Sequence, residues 1–154
     1  MNKKLEWVLV AFIAFVFIQS LFFKFAELFG NEAPYVTVYI FQQVGDWMIN
    51  DLGLQAIGEG FKANGGLVIG LTELLASILL IITATRFYGA LLALGVMSGA
   101  IFFHVLTPLG LFPPLEPCAE GADCPREYAL FFMACGVWLS AAWLAWMRRP
   151  GNVV

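Results

Sequence analysis

Residues 65–85, GGLVIGLTELLASILLIITAT, form an apolar run long enough to cross a bilayer, and they carry one carboxylate, Glu73, part-way along. An acid inside such a run is costly to bury charged, so the fold has to bring it a partner or keep it away from lipid. At helical periodicity Gly66, Gly70, Glu73 and Ser77 fall on one stripe, with Ala84 beyond them. Small residues along a stripe let another helix come close, which points Glu73 toward protein, with Ser77 one turn away on the same face.

Three more stretches reach the length of about 20 apolar residues that a span needs. The expected transmembrane helices are 5–29, 67–85, 87–107 and 128–147. A composition that is 61% hydrophobic and 12% charged, with a mean hydropathy of +0.84, supports the same class. The fold class is therefore all-α, an integral membrane four-helix bundle forming a single domain over 1–154. Lys3 and Lys4 precede the first span as they would a signal peptide, but its apolar stretch is too long and no small-x-small cleavage site follows, so it reads as an uncleaved helix. No basic patch exists to bind nucleic acid, and that class of partner is excluded. The partner that the composition demands is the lipid bilayer.

Orientation follows from lysines and arginines near the helix ends. With the N-terminus inside, Lys3, Lys4, Arg86, Arg148 and Arg149 are cytoplasmic, while Lys62 and Arg126 lie in the outer loops with most of the acids. Both termini are expected in the cytoplasm.

The first helix reads as nearly charge-free until its outer end, where Ser20, Lys24 and Glu27 share a face. Lys24 and Glu27 either pair with each other or separate, the lysine snorkelling to the interface and the glutamate sitting among headgroups. In the loop 30–64, apolar residues from Val36 to Met48 recur at helical spacing after Pro34, which predicts a short amphipathic outer helix near 35–50. It would be a lid or, more simply, a surface anchor. Gly53, Gly58, Gly60, Gly65 and Gly66 read as a flexible approach to the second span.

Arg86 alone separates the second and third spans, which predicts a tight hairpin of antiparallel neighbours. On the third, Gly89, Ala93, Met97, Ala100 and His104 form another small-residue stripe that ends in the chain's one histidine. Its ring either hydrogen-bonds a backbone carbonyl or carboxylate or takes part in proton exchange. In the Pro-rich loop that follows, Cys118 and Cys124 favour a disulfide that staples a small loop over a redox-active pair, because the CxxC spacing is absent. Cys135, inside the last span, reads as a packing residue.

Depth then ties the titratable groups together. With the second helix taken to start near residue 65, Glu73, Lys24 and His104 would all lie in the outer half of the membrane, within about 12 Å of their helix ends. Lys24 with Glu73 would be an interhelical ion pair, and His104 with Glu73 a proton-relay dyad. The cytoplasmic half offers no matching ionisable groups, so the pattern suggests a pocket open to the outer leaflet rather than a proton path. The expected site is Glu73 and His104 for proton exchange, with Ser20, Lys24, Glu27 and Ser77 for binding. No metal-ligand cluster, phosphate loop or dinucleotide fingerprint occurs, and no tightly bound cofactor is expected.

The segments SLFFKFAELFG (20–30), FQQVGDWM (41–48) and the run from 65 to 104 resemble the DoxX-like family of small four-helix bacterial membrane proteins. Lys24 at the end of the first helix, Glu73 in a G-x-x-E-type setting and Arg86 at the following turn carry the resemblance. It implies a multi-pass protein of the bacterial inner membrane, associated with redox complexes, with a quinone or other lipid-soluble molecule as ligand. The alternative is a non-catalytic accessory or assembly subunit that packs against membrane-protein partners or a second copy.

Overall fold

In the computed structural model, which describes residues 3–118 and 123–149, the chain is all-α. Helix α1 (Lys3–Lys24) is followed by a 3-10 turn (Ala26–Phe29), α2 (Tyr35–Asn50), α3 (Gln55–Ile81), α4 (Arg86–Leu106) and α5 (Ala129–Arg148). Four of these, α1, α3, α4 and α5, are long and apolar enough to cross a membrane. They form a ring in which α1 and α4 each pack on α3 and α5, while α2 folds back along α3. Val10, Ile13 and Phe17 of α1 meet Ala76 and Leu80 of α3, Ala90 and Ala93 of α4, and Val137, Ala141 and Leu144 of α5 in the buried core. Leucines, tryptophans and phenylalanines cover the outside. That is the apolar-all-round pattern of helices solvated by lipid.

Gly89 sets the α3–α4 hairpin. A Cβ there would come within 2.7 Å of Leu80 N and 2.9 Å of Leu79 C, so the two backbones touch. Gly70, Glu73 and Ser77 are buried on α3, and Gly89, Ala93, Met97 and His104 on α4, as the two stripes require. Ala84 lies in the turn after α3 and is exposed.

Two spans differ from the sequence expectation. The first does not run unbroken to 29: α1 stops at Lys24, and the 3-10 turn is closed by Gly30 at φ 75°. The second begins at Gln55 instead of 67 and ends at Ile81 instead of 85. The glycines read as a flexible approach are inside this helix, apart from Gly53, whose φ of 67° makes the turn from α2. Gly58, Gly65 and Gly66 are contact positions, whereas a Cβ on Gly60 would meet nothing within 4 Å. A Cβ on Gly58 would sit 2.6 Å from Gly45 O, and one on Gly65 2.7 Å from the Phe41 ring, so α2 and α3 lie nearly backbone to backbone. Glycine costs a helix about 1 kcal/mol per residue, which close packing of this kind offsets. An ion pair between Lys62 and Asp46 at 2.6 Å ties the same two helices.

The last two spans, α4 and α5, lie within one residue of their expected ends. Between them the chain is pinned by a short antiparallel pairing: Leu115 N donates to Pro125 O (3.0 Å) and Glu127 N to Pro113 O (2.9 Å). Beyond it Cys118 and Cys124 form a disulfide with Cα atoms 6.3 Å apart.

Candidate functional site

Lys24 is the last residue of α1, one turn after Ser20, so both side chains leave the helix on one side. They meet Glu73 of α3. Lys24 Nζ donates to both carboxylate oxygens, at 2.8 Å to Oε1 and 2.7 Å to Oε2, and Ser20 Oγ donates to Oε2 at 2.5 Å. Lys24 also reaches Ser20 Oγ at 3.1 Å. Glu73 is 3% exposed and Lys24 15%, so the charges neutralise one another in a largely dry setting. The following residue, Phe25, packs on Gly70, where a Cβ would be 2.5 Å from its ring. That absent side chain lets the end of α1 close onto α3 at the level of Glu73.

Of the other expected site residues, Ser77 is buried and donates to the backbone carbonyl of Glu73 at 2.9 Å; it supports the helix turn and does not touch the carboxylate. Glu27 is exposed on the 3-10 turn, away from the Lys24 ammonium that Glu73 occupies. Of the arrangements open in the sequence, the structure forms the Lys24–Glu73 pair.

His104 lies elsewhere along the bundle. The longer α3 puts Glu73 18 residues from Gln55 and eight from Ile81, about 27 Å and 12 Å along the helix. It therefore sits near the middle of the bundle, not 12 Å from the loop end. From the contact of Gly89 with Leu79, six residues onward along each antiparallel helix bring Gly95 level with Glu73. His104 is nine residues further along α4, about 13 Å closer to the loop end. Its Nδ1 is 2.9 Å from Gly110 O, and its ring meets Phe131 edge-on at 5.9 Å between centroids.

One cavity of about 430 Å³ joins the two places. Ser20, Lys24 and Glu73 form its inner pole; His104 and Glu127 stand at the other. Apart from Gln19 and Thr37 the other walls are mainly apolar, among them Ile40, Phe41 and Val44 of α2, Phe61 of α3, Phe103 of α4 and Met133 of α5. Gly95 and Gly99 of α4 also line it, and a Cβ on either would meet nothing within 4 Å. The helix α2 is thus a wall of the cavity. Among the described residues no three His, Cys, Asp or Glu side chains are arranged as metal ligands.

A second polar centre overturns the expectation that the half of the bundle carrying the termini has no matching ionisable groups. Glu6 Oε1 accepts from Arg86 Nη1 at 2.6 Å and from Arg148 Nε at 2.7 Å. Glu6 and Arg86 are each 1% exposed. Arg86 also donates to Leu80 O (2.8 Å) and Ile81 O (3.3 Å), satisfying the carbonyls left over where α3 ends, and lies 4.2 Å above the Trp7 ring. The arginine read as a hairpin residue ties α4 to α1 and to the end of α3, and Glu6, which it shares with Arg148, extends the joint to α5. Its sequence signal was the charge count at that end: Glu6 stands alone against five cations, two of which have to find it.

Compared with protein-family models, with curated proteins and with solved structures, the chain matches none.

Proposed function

We propose that this multi-pass protein receives a lipid-soluble molecule, of the quinone type, in the cavity between α1 and the other helices, as a redox-associated component of the bacterial inner membrane. The observation that carries the reading is a buried ion pair forming the wall of a cavity. A pair that served packing alone would be enclosed by side chains, whereas Ser20, Lys24 and Glu73 border a space within the usual size range of ligand pockets. Apolar walls with a few convergent polar groups suit a flat polar head on an apolar tail. The DoxX-like resemblance of the motifs around Lys24, Glu73 and Arg86 supports the same reading. With the termini on the cytoplasmic side, as the basic residues suggest, the cavity belongs to the outer half of the bilayer.

The residues divide their roles. Lys24 and Ser20 hold the Glu73 side chain in place and offer a ligand donors in exchange. Proton exchange at Glu73 requires the ligand to displace Lys24, because the ammonium occupies both oxygens. His104 serves the opposite pole and does not share a small head group with Glu73.

Gly99→Leu tests the reading, since its side chain fills the cavity without meeting the backbone of another helix. The protein in nanodiscs is expected to bind a short-tailed quinone saturably and the variant to lose at least tenfold in affinity while remaining folded. Equal binding by both would remove the cavity from the argument. The accessory-subunit reading is favoured by one observation, the full saturation of the Glu73 carboxylate by α1. A stoichiometric partner retained on gentle extraction, together with no quinone binding, would establish it instead.

A further inference from the structure

His104 is 6% exposed and lines the cavity, and its two nitrogens are not equivalent. Nδ1 faces Gly110 O at 2.9 Å. A carbonyl only accepts, so Nδ1 carries the proton, and the neutral ring presents Nε2 as a lone pair. Nε2 has no protein partner among the described residues. No side-chain nitrogen or oxygen sealed from solvent lacks one, so Nε2 is accessible, and the space that His104 borders is the cavity.

The rest of this pole is of the same character. Glu127 Oε1 accepts from Ala129 N at 2.7 Å, capping the start of α5, and the residue also borders the cavity. The remaining walls here are rings and aliphatic chains: Phe61 and Phe103 stand 5.8 Å apart between centroids, with Leu109 and Leu130 beside them. The loop-end pole therefore offers acceptors and flat apolar surfaces. The inner pole, where the Lys24 ammonium lies, is about 13 Å away along α4, more than the width of one small ring.

We infer that the loop-end pole selects a hydrogen-bond donor, so that the ligand binds there as a phenol or quinol with its hydroxyl on His104 Nε2, in preference to the carbonyl of an oxidised quinone or a fatty-acid carboxylate. The inference rests on the cavity being a ligand site. It adds which oxidation state of a quinone-type molecule is held and which atom holds it. A quinone carbonyl brought against Nε2 sets two acceptors face to face, and a carboxylate would in addition meet the charge of Glu127. A quinol hydroxyl satisfies the lone pair while its ring lies against the faces that Phe61 and Phe103 turn to the cavity. The two forms differ at this pole by one made or unmade hydrogen bond in a dry site.

A redox-inert pair of probes isolates that bond. Radiolabelled 4-decylphenol and its methyl ether, 4-decylanisole, have nearly the same shape, and only the phenol can donate. With the protein in phosphatidylcholine nanodiscs at pH 8, where an ordinary imidazole is neutral, the phenol is expected to bind about tenfold more tightly. His104→Phe should reduce that preference to less than twofold while leaving anisole affinity within about threefold. Glu127→Gln, which keeps an oxygen for the helix cap, should retain it. Equal affinity of wild-type protein for the two probes overturns the inference and leaves the cavity as a site. A preference that survives His104→Phe and vanishes in Glu127→Gln overturns the assignment to Nε2. Saturable binding of neither probe overturns the inference together with the ligand-site reading. The wild-type comparison decides by itself if His104→Phe does not fold.

Discussion

Lys24 and Glu73 can be removed one at a time or together, and the three outcomes differ in a way that separates an ion pair from two independent polar residues. In Lys24→Met, Glu73 keeps only the Ser20 hydroxyl at 2.5 Å in a setting 3% exposed, so a carboxylate is left largely uncompensated. Removing one partner of a buried pair costs about 3–5 kcal/mol. Glu73→Gln is milder. Lys24, 15% exposed at the last position of α1, can turn its ammonium outward, and the cost falls to about 1–2 kcal/mol, the scale of one lost interhelical polar contact. The double variant buries neither charge and is expected within about 1 kcal/mol of wild type. The coupling between the two sites is then at least about 3 kcal/mol, well beyond the few tenths that independent positions show. Reversible unfolding in mixed micelles, followed by circular dichroism, measures all four forms. Additive costs, with the double variant as unstable as the sum of the singles, would refute the ion pair as the organising contact. The double variant also isolates function from stability. It should fold and yet bind a quinone at least tenfold more weakly, and full binding would show that the pair braces helices only.

Three further outcomes follow from the other contacts. Glu6→Gln leaves Arg86 and Arg148 facing each other without a carboxylate and should cost about 3–5 kcal/mol, whereas Arg148→Met, at a residue 23% exposed, should cost less; thermal unfolding in detergent ranks them. On α4, Gly89→Ala places a methyl against the α3 backbone and should destabilise, while Gly95→Ala meets open space and should stabilise by about 1 kcal/mol, so the same unfolding assay reads opposite signs for one chemical change. Reducing the Cys118–Cys124 bridge, or replacing both residues by serine, should lower stability by about 2 kcal/mol on loop-closure grounds and raise proteolytic cleavage between Pro113 and Glu127 without changing helix content.

Much of this fold was legible because lipid solvation demands long apolar runs, and a run of 20 leaves little choice of element. The stripes on α3 and α4 were equally plain, since glycine and alanine at helical spacing have one common use in such runs. The start of α3 was not. Glycine permits turns and also permits close packing, and local sequence does not distinguish Gly58 beneath Gly45 from a glycine in a loop; only the position of α2 does. That error of ten to twelve residues moved Glu73 toward the loop end and placed it beside His104 in depth, when the two stand at opposite ends of a cavity. Glu6 was hidden for another reason. Beside Lys3 and Lys4 it reads as one more headgroup charge, and its partners are 80 and 142 residues away. The Lys24–Glu73 pair was among the arrangements the sequence left open because each residue sits on a predicted helix face with few alternatives for its charge.

The two ionic centres have different surroundings, and that difference bears on what the molecule can do. Glu6, Arg86 and Arg148 join helix ends by a carboxylate and two guanidiniums whose donors also serve the end of α3. Lys24, Ser20 and Glu73 border open volume. Between them lie Ile13, Phe17, Leu80 and Leu144, each at 0% exposure. A proton or hydrated ion crossing that layer would meet little besides the Ser77 hydroxyl, already bonded to the Glu73 carbonyl at 2.9 Å, over roughly two helical turns, and a bare charge in such a medium carries a cost of many kcal/mol. Under the proposed reading the bundle is therefore closed at the end that carries its termini and receptive toward its loops: a ligand enters and leaves by the same half, and Lys24 and His104 act on it from opposite ends of one chamber. A molecule that exchanges protons in this cavity exchanges them with the loop side alone, so vesicles carrying the protein should hold an imposed pH gradient as long as protein-free vesicles do. A pH-sensitive dye trapped inside reads this directly, and a faster collapse of the gradient would require a path through a layer where the packing leaves none.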